Sequence, residues 1–268
     1  MPNVTLVMTR KPLHEFLWIR GRHEQHYEDI DDTDDARTAR FGPLDHGIRS
    51  HAPAAARGVI SGQWDTMAVV EGPMVYGVNR TAEGAANIAS AFADAGWGFQ
   101  GQFGGRFDLP PLTTASTTVN GQTVYLITDG TAIARTTQLD ALERFRTNSK
   151  AGFYVRIPSR PLKAYGLKCF NSGTVADFHR KYGIRTNDPG MCLLVQDHDV
   201  KQENGELAGI LLHEAPNPGW LTGCIAPRLP GNRGSADDFA CCIDALDLIY
   251  RAMGGFTYGK TARLFVFD

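Results

Sequence analysis

Apolar residues in this chain come in short bursts, and the spacing inside each burst points to an element. Val4-Thr5-Leu6-Val7-Met8 is continuous and β-branched, the pattern of a strand. Phe16-Leu17-Trp18-Ile19 fits strand and helix equally. Thr66-Met67-Ala68-Val69-Val70 and Met74-Val75-Tyr76-Gly77-Val78 flank Glu71-Gly72-Pro73, so the pair predicts a hairpin. Thr81 reads as an N-cap for a helix over 82–95, with Ala85, Ile88, Ala89 and Phe92 on one face and Gly96 as the stop. Thr118-Val119 and Thr123-Val124-Tyr125-Leu126-Ile127 around Asn120-Gly121 predict a second hairpin. Asp129-Gly130 turns the chain into a strand over Thr131-Ala132-Ile133-Ala134. Thr137 with Asp140 then predicts a helix carrying Leu139, Leu142 and Phe145.

The second half continues the alternation. Phe153-Tyr154-Val155-Arg156-Ile157 reads as a strand closed by Pro158. Ser172 or Thr174 starts a short helix with Val175, Phe178 and Tyr182, and His179 lies near that face as a structural residue. Met191-Cys192-Leu193-Leu194-Val195 and Gly209-Ile210-Leu211-Leu212-His213 pair around Asn204-Gly205. Ser235 with Asp238 caps the clearest helix, carrying Phe239, Cys242, Ile243, Leu246, Ile249, Tyr250 and Met253 up to Gly254-Gly255. Leu264-Phe265-Val266-Phe267 is a closing strand. The fold class is α+β and strand-rich, with a few helices. Leu109-Pro110-Pro111-Leu112 is the best boundary, dividing an N-terminal α+β region, 1–110, from 111–268.

Composition narrows the function classes. At 268 residues and 43% apolar, the chain builds a substantial core. Its 29 glycines and 14 prolines agree with many turns. A formal net charge of -2 gives no support for a nucleic-acid partner. No apolar run reaches the roughly 20 residues of a membrane helix. The opening residues are too short in apolar length for a secretory signal, so synthesis in the cytoplasm is expected. The acidic run Glu28-Asp29-Ile30-Asp31-Asp32-Thr33-Asp34-Asp35 lacks the order of a calcium loop and reads as solvated. The glycine-aromatic stretch 96–105 lacks the residues of a phosphate loop. Cys169, Cys192, Cys224, Cys241 and Cys242 hold no C-x-x-C spacing, so no metal or other cofactor is expected. Cys241 and Cys242 read as packing residues, while Cys169 and Cys192 are a possible pair only in an exported protein.

One stretch carries chemistry. The apolar run ending in His213 is followed by Glu214-Ala215-Pro216-Asn217-Pro218-Gly219-Trp220 and then Leu221-Thr222-Gly223-Cys224-Ile225. A thiol becomes a useful nucleophile beside a base, and a tight loop between a His-ended strand and a Cys-started one can supply that base. The opposing reading is a buried structural cysteine and a strand-end histidine.

This order, His then Thr-Gly-Cys-Ile, resembles the L,D-transpeptidase catalytic domain. It is most similar to a smaller bacterial and phage group carrying I-x-I-H-x-G-N and T-x-G-C-I. The resemblance implies Cys224 as nucleophile, His213 as base, and Gly223, Thr222, Asn217 and Trp220 as substrate contacts. Asn217 lies one place off the group's asparagine, and the first arginine after the thiol is Arg228. The implied fold is an L,D-transpeptidase-like β-sandwich or sheet domain over 111–268. The implied reaction is attack of the Cys224 thiolate on a peptide carbonyl, giving a thioester resolved by an amine or by water. The implied substrate is the peptidoglycan stem peptide. Without an encoded signal, such an enzyme fits a phage product or an effector, with a secretion apparatus and a cognate immunity protein as partners and the periplasm or cell wall as its place of action. A Cys/His hydrolase of another acyl bond shares this site. The alternative from a different class is a non-catalytic binding or assembly module of a phage or secretion apparatus.

Overall fold

The computed structural model describes residues 3–19, 28–29, 59–94, 111–119, 121–144, 156–182, 189–201, 206–215, 221, 223–231 and 238–268. In chain order the elements are β1 (Asn3–Ile19), β2 (Glu28–Asp29), β3 (Val59–Gly72), β4 (Val75–Asn79) and helix α1 (Ala82–Asp94). Next come β5 (Thr113–Val119), β6 (Gln122–Thr128), β7 (Arg135–Arg144), β8 (Arg160–Asn171) and helix α2 (Gly173–Tyr182). The series ends with β9 (Met191–Val195), β10 (Leu211–Leu212), β11 (Ala226–Arg228), helix α3 (Asp238–Ala252) and β12 (Thr261–Phe267). The protein is strand-rich α+β.

The large sheet runs in the order β10-β9-β8-β12-β1-β3-β7-β11, with β2 hydrogen-bonded to β1. β1 and β12 pair in parallel. At the two ends of the series, Leu212 of β10 forms a parallel bridge with Ile225, the residue before β11. The His213 N–H donates to the Ile225 carbonyl at 3.1 Å, and the Ile225 N–H to the Leu211 carbonyl at 2.9 Å. The sheet is therefore nearly closed on itself at this seam.

Alternation sorts the side chains. Leu6, Met8, Met67, Val69, Leu139, Leu167, Leu264 and Leu212 share one buried cluster, to which α3 adds Leu246, Ile249 and Tyr250, and the residue just past its end adds Met253. The opposite face of the middle strands turns Val7, Ala68, Val70, Phe265 and Phe267 toward a second sheet, β4-β6-β5, meeting Val75, Val78, Val124 and Leu126. Strands covered on both faces need apolar residues at consecutive positions, which is what Met67 to Val70 supply.

The expected helix around Thr137 is instead the strand β7, paired with β3 on one side and β11 on the other. Leu139 and Leu142 are spaced as one helical face, but in a strand buried on both sides they point to different clusters. The expected hairpin over 66–78 is also absent. β3 pairs with β1 and β7, while β4 pairs with β6 in the second sheet, so Gly72-Pro73 carries the chain from one sheet to the other. Thr131 to Ala134 form no strand, and neither do Arg156 and Ile157.

Other elements follow their sequence pattern. Phe16 to Ile19 continue β1. The β5–β6 hairpin, α1, α2, the β9–β10 pair, α3 and β12 lie where the spacing places them. Residues from 1–110 and 111–268 share one sheet and one core, since β1 and β3 lie between β12 and β7. Outside the described residues lie most of the acidic run, the stretch 96–105, the 109–110 part of the boundary, and Phe145, Phe153, Asn204, Gly205 and Ser235. No helix among the described residues is long and apolar enough to cross a membrane.

Candidate functional site

The seam sets the geometry of His213 and Cys224. In a parallel bridge between Leu212 and Ile225, His213 follows one partner and Cys224 precedes the other. Both therefore leave the sheet on the face opposite to Leu212 and Ile225, two steps apart along the strands. A rise of ~3.4 Å per residue and a strand spacing of ~4.8 Å put their Cα atoms about 8 Å apart, a span two such side chains can bridge. Gly223, just before the thiol, has φ of 81°, in the left-handed region that glycine enters without strain.

At rest the two side chains point elsewhere, and among the described residues no hydrogen bond joins them. The Cys224 Sγ is turned to the Gly209 carbonyl at 4.0 Å. Its residue is half-buried and packs against Trp64, Leu142, Ala215, Leu221, Ala226 and Cys242. Burial pushes the thiol up to about 11, and a backbone contact from Leu211 offsets this only in part.

His213 is held more tightly. Its Nδ1 lies 2.7 Å from the carbonyl oxygen of Glu214. A carbonyl only accepts, so Nδ1 carries the proton and Nε2 keeps the lone pair. Burial pushes this imidazole down to about 4, with the Glu214 carbonyl pulling the other way. The ring is thus a neutral base with one nitrogen assigned to accept a proton.

A second buried pair supports this one. Ser172 starts α2 by accepting from the Val175 N–H at 3.4 Å, and two turns on from Ser172 the helix carries His179. The Gly190 N–H donates to His179 Nδ1 at 3.2 Å. The neutral His179 ring accordingly carries its proton on Nε2, which faces Glu214 Oε1. His179 and Glu214 are 4% and 3% exposed, so neither partner is shared with solvent. Burial lowers the His179 imidazole and pushes the Glu214 carboxyl up to about 7. Gly190 has φ of 90°, and a Cβ there would run into the Asn171 side chain and the Ser172 carbonyl, so a glycine is required where this N–H is presented.

Two further groups complete the surroundings. Continuing the β9–β10 pairing of Leu212 with Leu193 by one residue sets His213 across from Cys192. Cys192 is fully buried, and burial together with the nearby Glu214 and Cys224 pushes its thiol up to about 12. Tyr250 of α3 is buried beside the same groups, and burial also raises its hydroxyl.

Of the residues singled out from sequence, the seam brings together His213, Gly223 and Cys224. Thr222, Asn217 and Trp220 lie outside the described residues. All five cysteines are free. Among the described residues, no three His, Cys, Asp or Glu side chains gather as a metal-ligand set. Sequence reasoning missed Glu214 and Cys192 and gave His179 no place at the site. Only Glu214 carried a local signal, as a carboxylate following the base inside an apolar context. Neither the protein-family models nor the curated proteins nor the solved structures include a match to this chain.

Proposed function

We propose that this protein is a cysteine-dependent acyl-transfer enzyme in which Cys224 is the nucleophile and His213 the base. The observation carrying this reading is the Nδ1–H of His213 on the Glu214 carbonyl. It leaves Nε2 unprotonated, on the same face of the seam as a half-buried thiol. A raised thiol and a lowered imidazole mean that both groups rest neutral, so the proton moves only as the thiol attacks. Rotation of the Cys224 side chain away from Gly209 precedes that step. The thiolate adds to an acyl carbonyl and the leaving amine departs with the proton taken by His213. Water or a second amine then releases the thioester. Backbone N–H groups at Gly223-Cys224 are the candidate oxyanion donors. The resemblance of His213 and Thr222-Gly223-Cys224-Ile225 to L,D-transpeptidases supports the peptidoglycan stem peptide as substrate and a related sheet domain as the fold. A stem-peptide substrate would place its action in the periplasm or cell wall.

A second reading has its own observation. Both burial shifts oppose a thiolate–imidazolium pair, and Cys224 packs on an apolar cluster. That favours a non-catalytic binding or assembly module.

Alkylation of Cys224 from pH 6 to 11, followed by mass spectrometry on wild type and His213→Ala, separates the two. The enzyme reading expects labelling at pH 7–8 that is faster in wild type, and acyl exchange when muropeptides are added. A rate that rises only toward pH 11 in both proteins sinks it.

A further inference from the structure

We infer that His179 and Glu214 are a positioning pair for His213, fixing the carbonyl that selects its tautomer. The inference rests on the Cys224–His213 reading above but concerns different side chains and a different element. The contacts form one uninterrupted chain. The Gly190 N–H donates to His179 Nδ1 at 3.2 Å. His179 Nε2 faces Glu214 Oε1. The Glu214 carbonyl accepts from His213 Nδ1 at 2.7 Å. Thus α2 and the entry to β9 hold the side chain of the residue whose own carbonyl holds the base.

The neighbouring residues are pinned as well. The His213 N–H is bonded across the seam to Ile225. The Ala215 carbonyl accepts from the Cys242 thiol of α3 at 3.6 Å. Without the anchor at 214, the peptide between these two points is free to turn, and the His213 ring loses the acceptor that keeps its proton on Nδ1. The polarity of the chain matters too. Gly190 donates to His179 and so requires a neutral ring there, and a cationic His179 would repel the imidazolium that His213 becomes. The pair therefore positions the base without competing with it for charge.

Nitrogen-15 spectra of the histidine rings in the full-length protein test this directly. Wild type is expected to give one His213 tautomer, protonated on Nδ1. His179→Gln keeps an acceptor for Gly190 and a donor for Glu214, and is expected to match wild type. His179→Leu keeps neither, and is expected to populate both His213 tautomers. Its His213-dependent Cys224 alkylation should fall about tenfold, a part of the roughly 10²–10⁴ that a positioned base contributes. Glu214→Ala removes the anchor while leaving the backbone carbonyl, and carries the same expectation if His179→Leu does not fold. A single unchanged tautomer and an unchanged alkylation rate in either folded variant overturn the positioning role. If His213→Ala leaves Cys224 alkylation unaltered, the catalytic reading falls instead, and the tautomer spectra alone decide the positioning.

Discussion

His213 and Glu214 are consecutive, both buried, and burial drives them in opposite directions. The His213 imidazole sits near 4 against an ordinary value of 6.5. A depressed imidazole means that the unfolded chain binds the proton first, so its contribution to stability is full above pH 6.5 and is lost as pH falls toward 4. The Glu214 carboxyl sits near 7 against 4.5. There the folded chain holds the proton longer, so the contribution is full below pH 4.5 and is lost as pH rises to 7. Each amounts to about 3 kcal/mol, of opposite sign over nearly the same window, and together they leave little slope in wild type. Glu214→Gln should therefore make stability rise with pH between 4 and 6.5 relative to wild type. His213→Gln should make it fall between 4.5 and 7. Urea denaturation at closely spaced pH values measures both. Slopes that stay at the wild-type value in both variants would mean that burial does not control these groups.

Elements marked by a local cap, turn or apolar run were legible, β12 among them although its partners are remote; where local spacing misled, a remote partner set the form. Thr81 is an example of the first kind. Its Oγ1 accepts from the Gly84 N–H at 3.0 Å, and its own N–H is held by Asn79 Oδ1 at 3.0 Å. That cap positions Ala85 and Ala89 of α1 over Ile127 of β6. Thr81→Ala should cost about 1 kcal/mol and Thr81→Ser much less, read from urea midpoints. An equal loss in both would point to the methyl group rather than the hydroxyl. By contrast, β7 owes its extended form to β3 and β11, which local spacing around Leu139 and Leu142 does not announce. The 66–78 hairpin failed for a related reason. A turn signal gives the change of direction, but which sheet receives β4 is set by Val75 and Val78 packing beside Leu126 of β6. The candidate site divides in the same way. His213, Gly223 and Cys224 lie on two apolar runs joined by one loop, and that juxtaposition was readable. His179 reaches Glu214 from α2, through packing that no spacing rule encodes.

On the scale of the whole molecule, one buried ion network crosses three neighbouring strands and joins the two halves of the sequence. Arg10 of β1 donates through Nε and Nη2 to both carboxylate oxygens of Glu143 in β7, at 2.8 and 2.9 Å. Between them, β3 places Gln63 and Asp65, with the Gln63 amide donating to Asp65. Arg156 lies 3.6 Å from Glu143 and donates to Gln63 at 3.3 Å. Burial alone would raise the Glu143 carboxyl, but Arg10 and Arg156 outweigh it and hold it below its ordinary value. Burial and the Glu143 charge push Asp65 well above its own. Arg10→Met leaves the Glu143 charge buried with Arg156 alone, and should cost about 3–5 kcal/mol. Arg10→Met with Glu143→Leu removes both charges and should cost clearly less, because the fully buried carboxylate is gone and the more exposed Arg156 keeps Gln63. The shape of the transition carries the larger point. β1 and β7 lie on opposite sides of the 110/111 boundary yet share one sheet and one core, so weakening their link should lower a single cooperative transition. Two separated transitions in urea, one of them unmoved by Arg10→Met, would mean that one half keeps its fold without the other.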